Sequence, residues 1–353
     1  MGERIAVVLF NLGGPDSPDA VRPFLFNLFN DPAIISLANP ARWLLAQLIS
    51  RRRAPVARAI YEQIGGKSPL KANTEAQAEA LTEALGDLGT VECFVAMRYW
   101  HPFTSETARA VKEFAPDRII LLPLYPQYSG TTVGSSLKEW SRQASVAGIE
   151  VPTATICCYP INSGFITAVG DTIRQSVKAS GFDLSGVRVL FSAHGLPKKI
   201  VTAGDPYQWQ IEQSAAKVVE TLEPELTDWV ICYQSRVGRL EWIGPSTDDE
   251  LKRAADDNKP VVVVPIAFVS EHSETLVEIE IEYRELAEKL GVPGFVRVPT
   301  VGTADAFIEG LAAMVRTAVS EDEHLAPEGK GSRICPNMFG RCPCRASGVS
   351  GGV

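Results

Sequence analysis

Val261 to Tyr283 reads VVVVPIAFVSEHSETLVEIEIEY, and its first half constrains the fold most. Four consecutive valines with no polar alternation describe a strand buried on both faces, as in a parallel sheet covered by helices. The character changes abruptly at Ser270-Glu271-His272-Ser273-Glu274. In open α/β sheets, ligands bind at the carboxyl ends of such strands. The helix expected next carries Glu274, Glu278 and Glu282 at i, i+4 and i+8, which an α-helix places along one face. Leu276, Val277, Ile279 and Ile281 fall on the other side. By spacing alone this is a solvated acidic face. Its start beside a histidine at a strand end also makes it a candidate site.

The rest of the chain alternates in the same way. Strands are expected at Ile5–Gly13, Val91–Tyr99, Arg118–Tyr128 and Thr153–Tyr159, then at Val187–Ala193, Trp229–Gln234, Pro260–Phe268 and Phe295–Pro299. Helical stretches separate them, which implies right-handed βαβ crossovers. The expectation is an α/β chain of two similar doubly wound domains, each a parallel four-stranded sheet flanked by helices. Domains are expected at 1–160 and 161–320, the second ending in a helix over 304–319, with a cysteine-containing tail at 321–353. That tail turns acidic, then rich in Pro, Gly and Ser, and reads as loose unless something binds its cysteines.

With 353 residues, 45% of them hydrophobic, the chain can bury a large core. A net charge of -8 argues against nucleic acid, Arg51-Arg52-Arg53 being its one basic cluster. The start, Met1-Gly2-Glu3-Arg4, leads straight into a strand without a signal peptide, and no apolar run is long enough to span a bilayer. A cytoplasmic location is expected, where clustered cysteines point to metal rather than disulfides. Residues 33–53 hold apolar side chains on a helical period and end in three arginines. Such a segment either lies on an anionic membrane surface or packs on the core.

Phe191-Ser192-Ala193-His194-Gly195 is a second strand ending in a histidine. Strand-end histidines are commonly structural. Two of them, His194 and His272, with Glu274 adjacent, suit proton transfer or a metal ion. A carboxylate near His194 would favour its charged form. Leu12, Tyr61, Tyr125, Tyr128 and Trp242, with Arg98-Tyr99-Trp100-His101, offer aromatic and apolar surface at strand or loop ends. Core packing explains any one of them, and together they suit a large flat apolar ligand. Arg52, Arg53 and Ser68 could hold its carboxylates at a rim.

These segments bring a family into view. Phe191–Pro197, Asn11–Pro15, Ile64–Pro69, Arg98–Pro102, Tyr125–Ser129, Gln234–Gly238 and Glu271–Leu276 together resemble the ferrochelatases, collinearly from about residue 5 to 320. The resemblance implies insertion of Fe²⁺ into protoporphyrin IX, with the porphyrin in a cleft between the two domains. It implies His194 as proton acceptor or metal-site residue and Glu274 as its partner, both near the Fe²⁺ substrate. Glu278 and Glu282 would continue the acidic row to solvent. It implies pocket roles for Leu12, Arg98, Tyr99, Tyr125 and Trp242, and a propionate-holding lip of Arg52, Arg53, Tyr61 and Ser68. In this reading neutral His194 takes a pyrrole proton from a bent macrocycle. Iron entry past Tyr99 and Arg98 or past His194 and Glu274 is left open.

Cys335, Cys342 and Cys344 supply three thiolates, while structural zinc and a [2Fe–2S] cluster each want four ligands. Some ferrochelatases carry a [2Fe–2S] cluster on C-terminal cysteines plus one internal cysteine. Where animal forms have that ligand, this chain has Gly130. The tail resembles a bacterial subgroup with a relocated ligand, and Cys158 is expected to supply it, strand alternation admitting only one of Cys157 and Cys158. Cys93 and Cys232 are expected in the core. Coproporphyrin as substrate, a non-catalytic tetrapyrrole-binding regulator and a cobalt chelatase are the rival readings. Peripheral contact with the inner membrane is a further expectation, and the sequence leaves monomer and homodimer open.

Overall fold

The structure, a computed structural model, describes residues 3–236, 238, 240–321 and 324–344. In chain order the elements are β1 (Arg4–Asn11), α1 (Val21–Phe29), α2 (Ala41–Glu62), α3 (Leu70–Ala84), β2 (Thr90–Met97), α4 (Thr104–Phe114), β3 (Arg118–Pro123), α5 (Val133–Ala147) and β4 (Thr153–Ile156). They continue with α6 (Ser163–Ser180), β5 (Arg188–His194), α7 (Lys198–Thr202), α8 (Tyr207–Leu222), β6 (Trp229–Gln234), α9 (Thr247–Asp256) and β7 (Val261–Pro265). A π-helix (Glu274–Tyr283), α10 (Arg284–Leu290), β8 (Phe295–Arg297), α11 (Asp305–Ser320) and β9 (Leu325–Ala326) complete the chain. Two compact units result, Met1–Cys158 with Ala312–Ser332, and Tyr159–Leu311 with Arg333–Val353. The chain therefore changes unit within α11, and the tail expected as one segment is divided between the units at Ser332.

In the first unit the sheet order is β2-β1-β3-β4-β9, all parallel. The core strand β1 buries every residue after Arg4. Phe10, Ala96, Val111, Ile119, Leu121 and Trp140 fill the layer beneath α4 and α5. Four strands were expected and five are found, because Leu325–Ala326 returns to pair with Thr155 and Ile156. A two-residue strand has no periodicity to read. The same short partner ends β4 at Ile156, three residues before the expected Tyr159.

In the second unit the order is β6-β5-β7-β8, again parallel. Within each sheet the first strand in sequence is flanked by the second and third, so both units carry one doubly wound arrangement. The valines of β7 are all buried, as their composition dictates. Leu190, Leu251, Val261, Val263 and Ile279 share that core. Helix starts are marked locally: Asn162 accepts the Phe165 N–H at 3.1 Å ahead of α6, and Ser246 accepts that of Asp249 at 3.1 Å ahead of α9. Cys232 lies in this core as expected, whereas Cys93 on edge strand β2 is only half-buried.

Candidate active site

The second unit assembles its site where the strand order reverses. β5 and β7 are neighbours there, and both deliver their carboxyl ends to the same side. β5 ends on His194 and β7 leads through Ser270 to His272 and Glu274. His194 Nδ1 lies 2.9 Å from Glu274 Oε2, although 80 residues separate them in sequence. The same oxygen lies 3.6 Å from His272 Nε2. His272 is buried, and its Nδ1 lies 3.2 Å from the Ser270 carbonyl oxygen.

Burial opposes charge on His194, but the adjoining Glu274 carboxylate outweighs it and Glu278 adds to it, raising the pKa to about 9. Burial likewise opposes ionisation of Glu274, and His194 and His272 hold its pKa well below the carboxylate range. Both shifts favour the imidazolium–carboxylate form of the pair. That is the direction expected of a carboxylate beside His194.

Glu278 sits one step along. Its carboxylate accepts from the Ser235 N–H at 2.7 Å, the Ser235 hydroxyl at 2.5 Å, Gln234 Nε2 at 2.9 Å and the Tyr283 hydroxyl at 3.3 Å. Ser235 has φ of 59°, a left-handed conformation that aims both its donors at one carboxylate. Burial and the charge of Glu274 nevertheless raise the Glu278 pKa. Glu282 is exposed. The row was expected on an α-helix, but Glu274–Tyr283 is a π-helix. Its bonds close at i→i+5, an opened turn frequent at functional sites. The acidic spacing suits either helix, so the sequence pattern could not separate them.

Gln234 is the functional residue the sequence reading left without a role. Fully buried, it accepts the Ser192 hydroxyl at 2.8 Å and donates to both the Glu274 carbonyl and the Glu278 carboxylate. Trp242 packs nearby through Gly195. A Cβ on Gly195 would stand 3.0 Å from the Gln234 carbonyl oxygen, 3.1 Å from Arg236 Cγ and 3.3 Å from Trp242 Cε3, so a side chain here would press on its neighbours beside His194. The indole N–H of Trp242 is buried with no hydrogen-bond partner among the described residues.

The first unit presents a second group at the ends of β1, β2 and β3. Leu12 follows β1, its carbonyl accepts the Tyr99 N–H at 2.9 Å, and its side chain packs partly buried against an apolar cluster. Arg98 donates from Nη2 to Asp31 at 2.7 Å and from Nε to Ser135 at 2.8 Å, and lies over the Tyr99 ring at 5.1 Å. Burial holds the Tyr125 hydroxyl above its usual pKa. Arg52 and Arg53 are exposed on α2, and Arg53 lies 5.7 Å over the Phe29 ring. Tyr61 and Ser68, expected at the lip that holds propionates, are both buried. Tyr61 is buried in the cluster of Val21, Phe24 and Tyr99. Buried Ser68 gives its N–H to Pro15 and accepts the Leu70 N–H, next to a Gly14 too close for any Cβ.

α2 carries much of the segment 33–53. It buries Ala46, Ser50 and Ala54, its small residues, and turns Trp43, Leu44, Leu48 and Val56 outward, Leu44 at 59% exposure. Ile34 and Leu37 are exposed ahead of it. The helix thus packs on the core through Ala54 and Tyr61, which join Val21, Phe24 and Leu25 of α1, while part of its apolar stripe stays exposed. No helix among the described residues is long and apolar enough to cross a membrane.

In the tail, the described residues 333–344 are tied down rather than loose. Arg333 donates to the carbonyls of Cys335, Pro336 and Phe339, and the Arg341 N–H donates to the Gly204 carbonyl at 3.1 Å. Cys335 and Cys344 are buried. Hydrogen bonds from Cys335 and Cys344 draw the Cys342 thiol down to about 3, aided by the charge of Arg333. Gln210 Nε2 lies 3.1 Å from the Cys335 sulfur. Cys335, Cys342 and Cys344 supply sulfur donors of the type a thiolate-bound cluster uses, Cys342 being the one drawn towards thiolate. Among the described residues no three His, Cys, Asp or Glu side chains are drawn up to hold a single metal ion. In the first unit Cys157 and Cys158 are both buried, with sulfurs 3.6 Å apart. They follow the end of β4, so the alternation expected to separate them does not apply.

Comparison with known proteins bears on the same residues. A family model described as Ferrochelatase matches residues 4–319. A ferrochelatase of Caulobacter vibrioides (strain NA1000 / CB15N) is 53% identical over 348 residues, covering 98% of this chain and 99% of that protein. A ferrochelatase of Phenylobacterium zucineum is 53% identical over 350 residues, covering 98% and 100%. The structure of SirB from Bacillus subtilis with Fe³⁺ shares the fold at a TM-score of 0.55 and 14% identity, over 91% of this chain and 99% of that one. On the extent of these matches, the chain belongs to the ferrochelatase family.

Proposed function

We propose that this chain inserts Fe²⁺ into protoporphyrin IX, giving protohaem and two protons, with His194 and Glu274 handling protons at the reacting centre. The observation carrying the reading is the 2.9 Å contact between His194 and Glu274 at the carboxyl end of β5, in a chain of this family.

Metallation exchanges two pyrrole protons for one dication. Glu274 favours the protonated form of His194, so the imidazole is a better acceptor once the proton has passed to the acidic row. Ferrous iron, as substrate, competes with His194 for the Glu274 carboxylate and lowers the imidazolium pKa. Glu278, held by four donors, and exposed Glu282 continue the row towards water. Leu12, Tyr125 and Trp242 supply apolar surface for the macrocycle, Arg98 and Tyr99 fixed polar and aromatic surface. Arg52 and Arg53, exposed on α2, are the cations for propionates. Binding energy at these remote points bends the ring and turns a nitrogen lone pair outward.

The outward-facing Trp43, Leu44, Leu48 and Val56, with Arg51, Arg52 and Arg53 on the same helix, support peripheral contact with an anionic inner-membrane surface by a cytoplasmic protein. A substrate as apolar as protoporphyrin fits that surface better than coproporphyrin, with its extra carboxylates. For the tail we assign Cys335, Cys342 and Cys344 as ligands of a [2Fe–2S] cluster, with Cys158 as the fourth ligand to be tested. Such a cluster, when bound, would supply iron–thiolate bonds to the tail cysteines.

The test is His194→Ala assayed for porphyrin binding and metallation separately. Porphyrin should still quench tryptophan fluorescence while Fe²⁺ insertion falls by about 10²-fold or more. Near-normal turnover would remove His194 from the reaction.

A further inference from the structure

We propose that Asp31 is a positioning residue for the porphyrin pocket: it clamps Arg98 and Tyr99 and neutralises the Arg98 charge. This rests on the reading that Arg98 and Tyr99 touch substrate.

Asp31 follows α1 and opens the segment that exposes Ile34 and Leu37. It is 4% exposed. Its Oδ2 accepts from the Ser135 hydroxyl at 2.6 Å, Arg98 Nη2 at 2.7 Å and the Tyr99 hydroxyl at 2.8 Å, while Oδ1 accepts the Ala33 N–H at 2.8 Å. Ser135 also accepts from Arg98 Nε, so the guanidinium is gripped at two points. Elements far apart in sequence thus meet on one carboxylate: the lip segment, the end of β2 and the start of α5.

A buried ion pair is poor evidence of a stabilising role, since apolar replacements are often as stable. The asymmetry here is informative. The Arg98 side chain keeps 19% exposure while Asp31 keeps 3%, so the acid is spent inside to hold a cation that still reaches solvent. With its charge cancelled, Arg98 offers oriented N–H groups without repelling a ferrous ion. It also has little charge left for a propionate, which leaves that task to Arg52 and Arg53.

Full-length wild type, Asp31→Asn, Arg98→Met and the double variant are to be assayed with Fe²⁺ and protoporphyrin, normalised to folded protein. Asp31→Asn should lower kcat/KM by about 10- to 100-fold and raise KM for Fe²⁺, because it leaves the Arg98 charge uncompensated. Adding Arg98→Met should return the Fe²⁺ KM towards wild type, with losses in kcat/KM that do not multiply. Ser135→Ala, which buries no new charge, should show the same coupling more weakly and serves if Asp31→Asn fails to fold. Multiplying losses, or an impaired Arg98→Met beside unimpaired Asp31→Asn and Ser135→Ala, would overturn the role of Asp31. An unimpaired Arg98→Met would instead overturn the pocket reading beneath it.

Discussion

Replacing Glu274 by Gln should release the His194 proton, and its size follows from the structure. The rise from an ordinary 6.5 to about 9 corresponds to about 3.4 kcal/mol in favour of the imidazolium. The His194 side chain is 39% exposed, so solvent screens much of that attraction, leaving about 1–2 kcal/mol. Gln keeps the shape and removes the charge. The His194 pKa should then fall by at least one unit, and burial, no longer opposed by Glu274, pushes it further. Imidazole titration by NMR reads this directly, since the chain has only four histidines and His194→Gln identifies the signal. The sign carries into stability. A folded pKa above the unfolded value stabilises fully below pH 6.5 and loses that contribution as pH rises through about 9. Wild type should therefore exceed Glu274→Gln in unfolding free energy by about 1–2 kcal/mol near pH 6, with the gap closing towards pH 10. A His194 pKa unmoved by Glu274→Gln, or a gap that widens with pH, would refute the reasoning.

Two further outcomes are expected. Gly195→Ala places a methyl 3.0 Å from the Gln234 carbonyl oxygen and 3.3 Å from Trp242 Cε3; it should cost about 1–3 kcal/mol in chemical denaturation and weaken porphyrin binding, and a neutral result would mean Trp242 is free to move. Purified protein should absorb in the visible as an oxidised [2Fe–2S] centre does, Cys158→Ser should bleach it and Cys157→Ser should not; iron-free, colourless wild type would remove the cluster, and the reverse pattern would reassign the ligand.

The layered fold was legible because its cause is local. Runs such as IAVVLF and VVVV admit little besides covered parallel strands, and His194 and Glu274 follow the two strands that share the switch point. What escaped is what depends on distant partners or on geometry without a residue signature. Asp31 reads as an Asp-Pro loop start, and only folding brings Tyr99 and Ser135 to it from 68 and 104 residues away. β9 is too short to show a period, and a carboxylate every fourth residue fits a π-helix as well as an α-helix. α2 was left open for a different reason. Its large apolar residues were visible, but the face it buries carries Ala46, Ser50 and Ala54 together with Tyr61, a mix with no apolar period to read.

The central claim is metal insertion that depends on His194. It is tested most directly by offering wild type and His194→Ala Fe²⁺ with protoporphyrin IX and with coproporphyrin, side by side, under anaerobic conditions. The account predicts protohaem from wild type, little product from coproporphyrin, and porphyrin bound but unmetallated in His194→Ala. Equal turnover by the two proteins, or coproporphyrin as the better substrate, would contradict it.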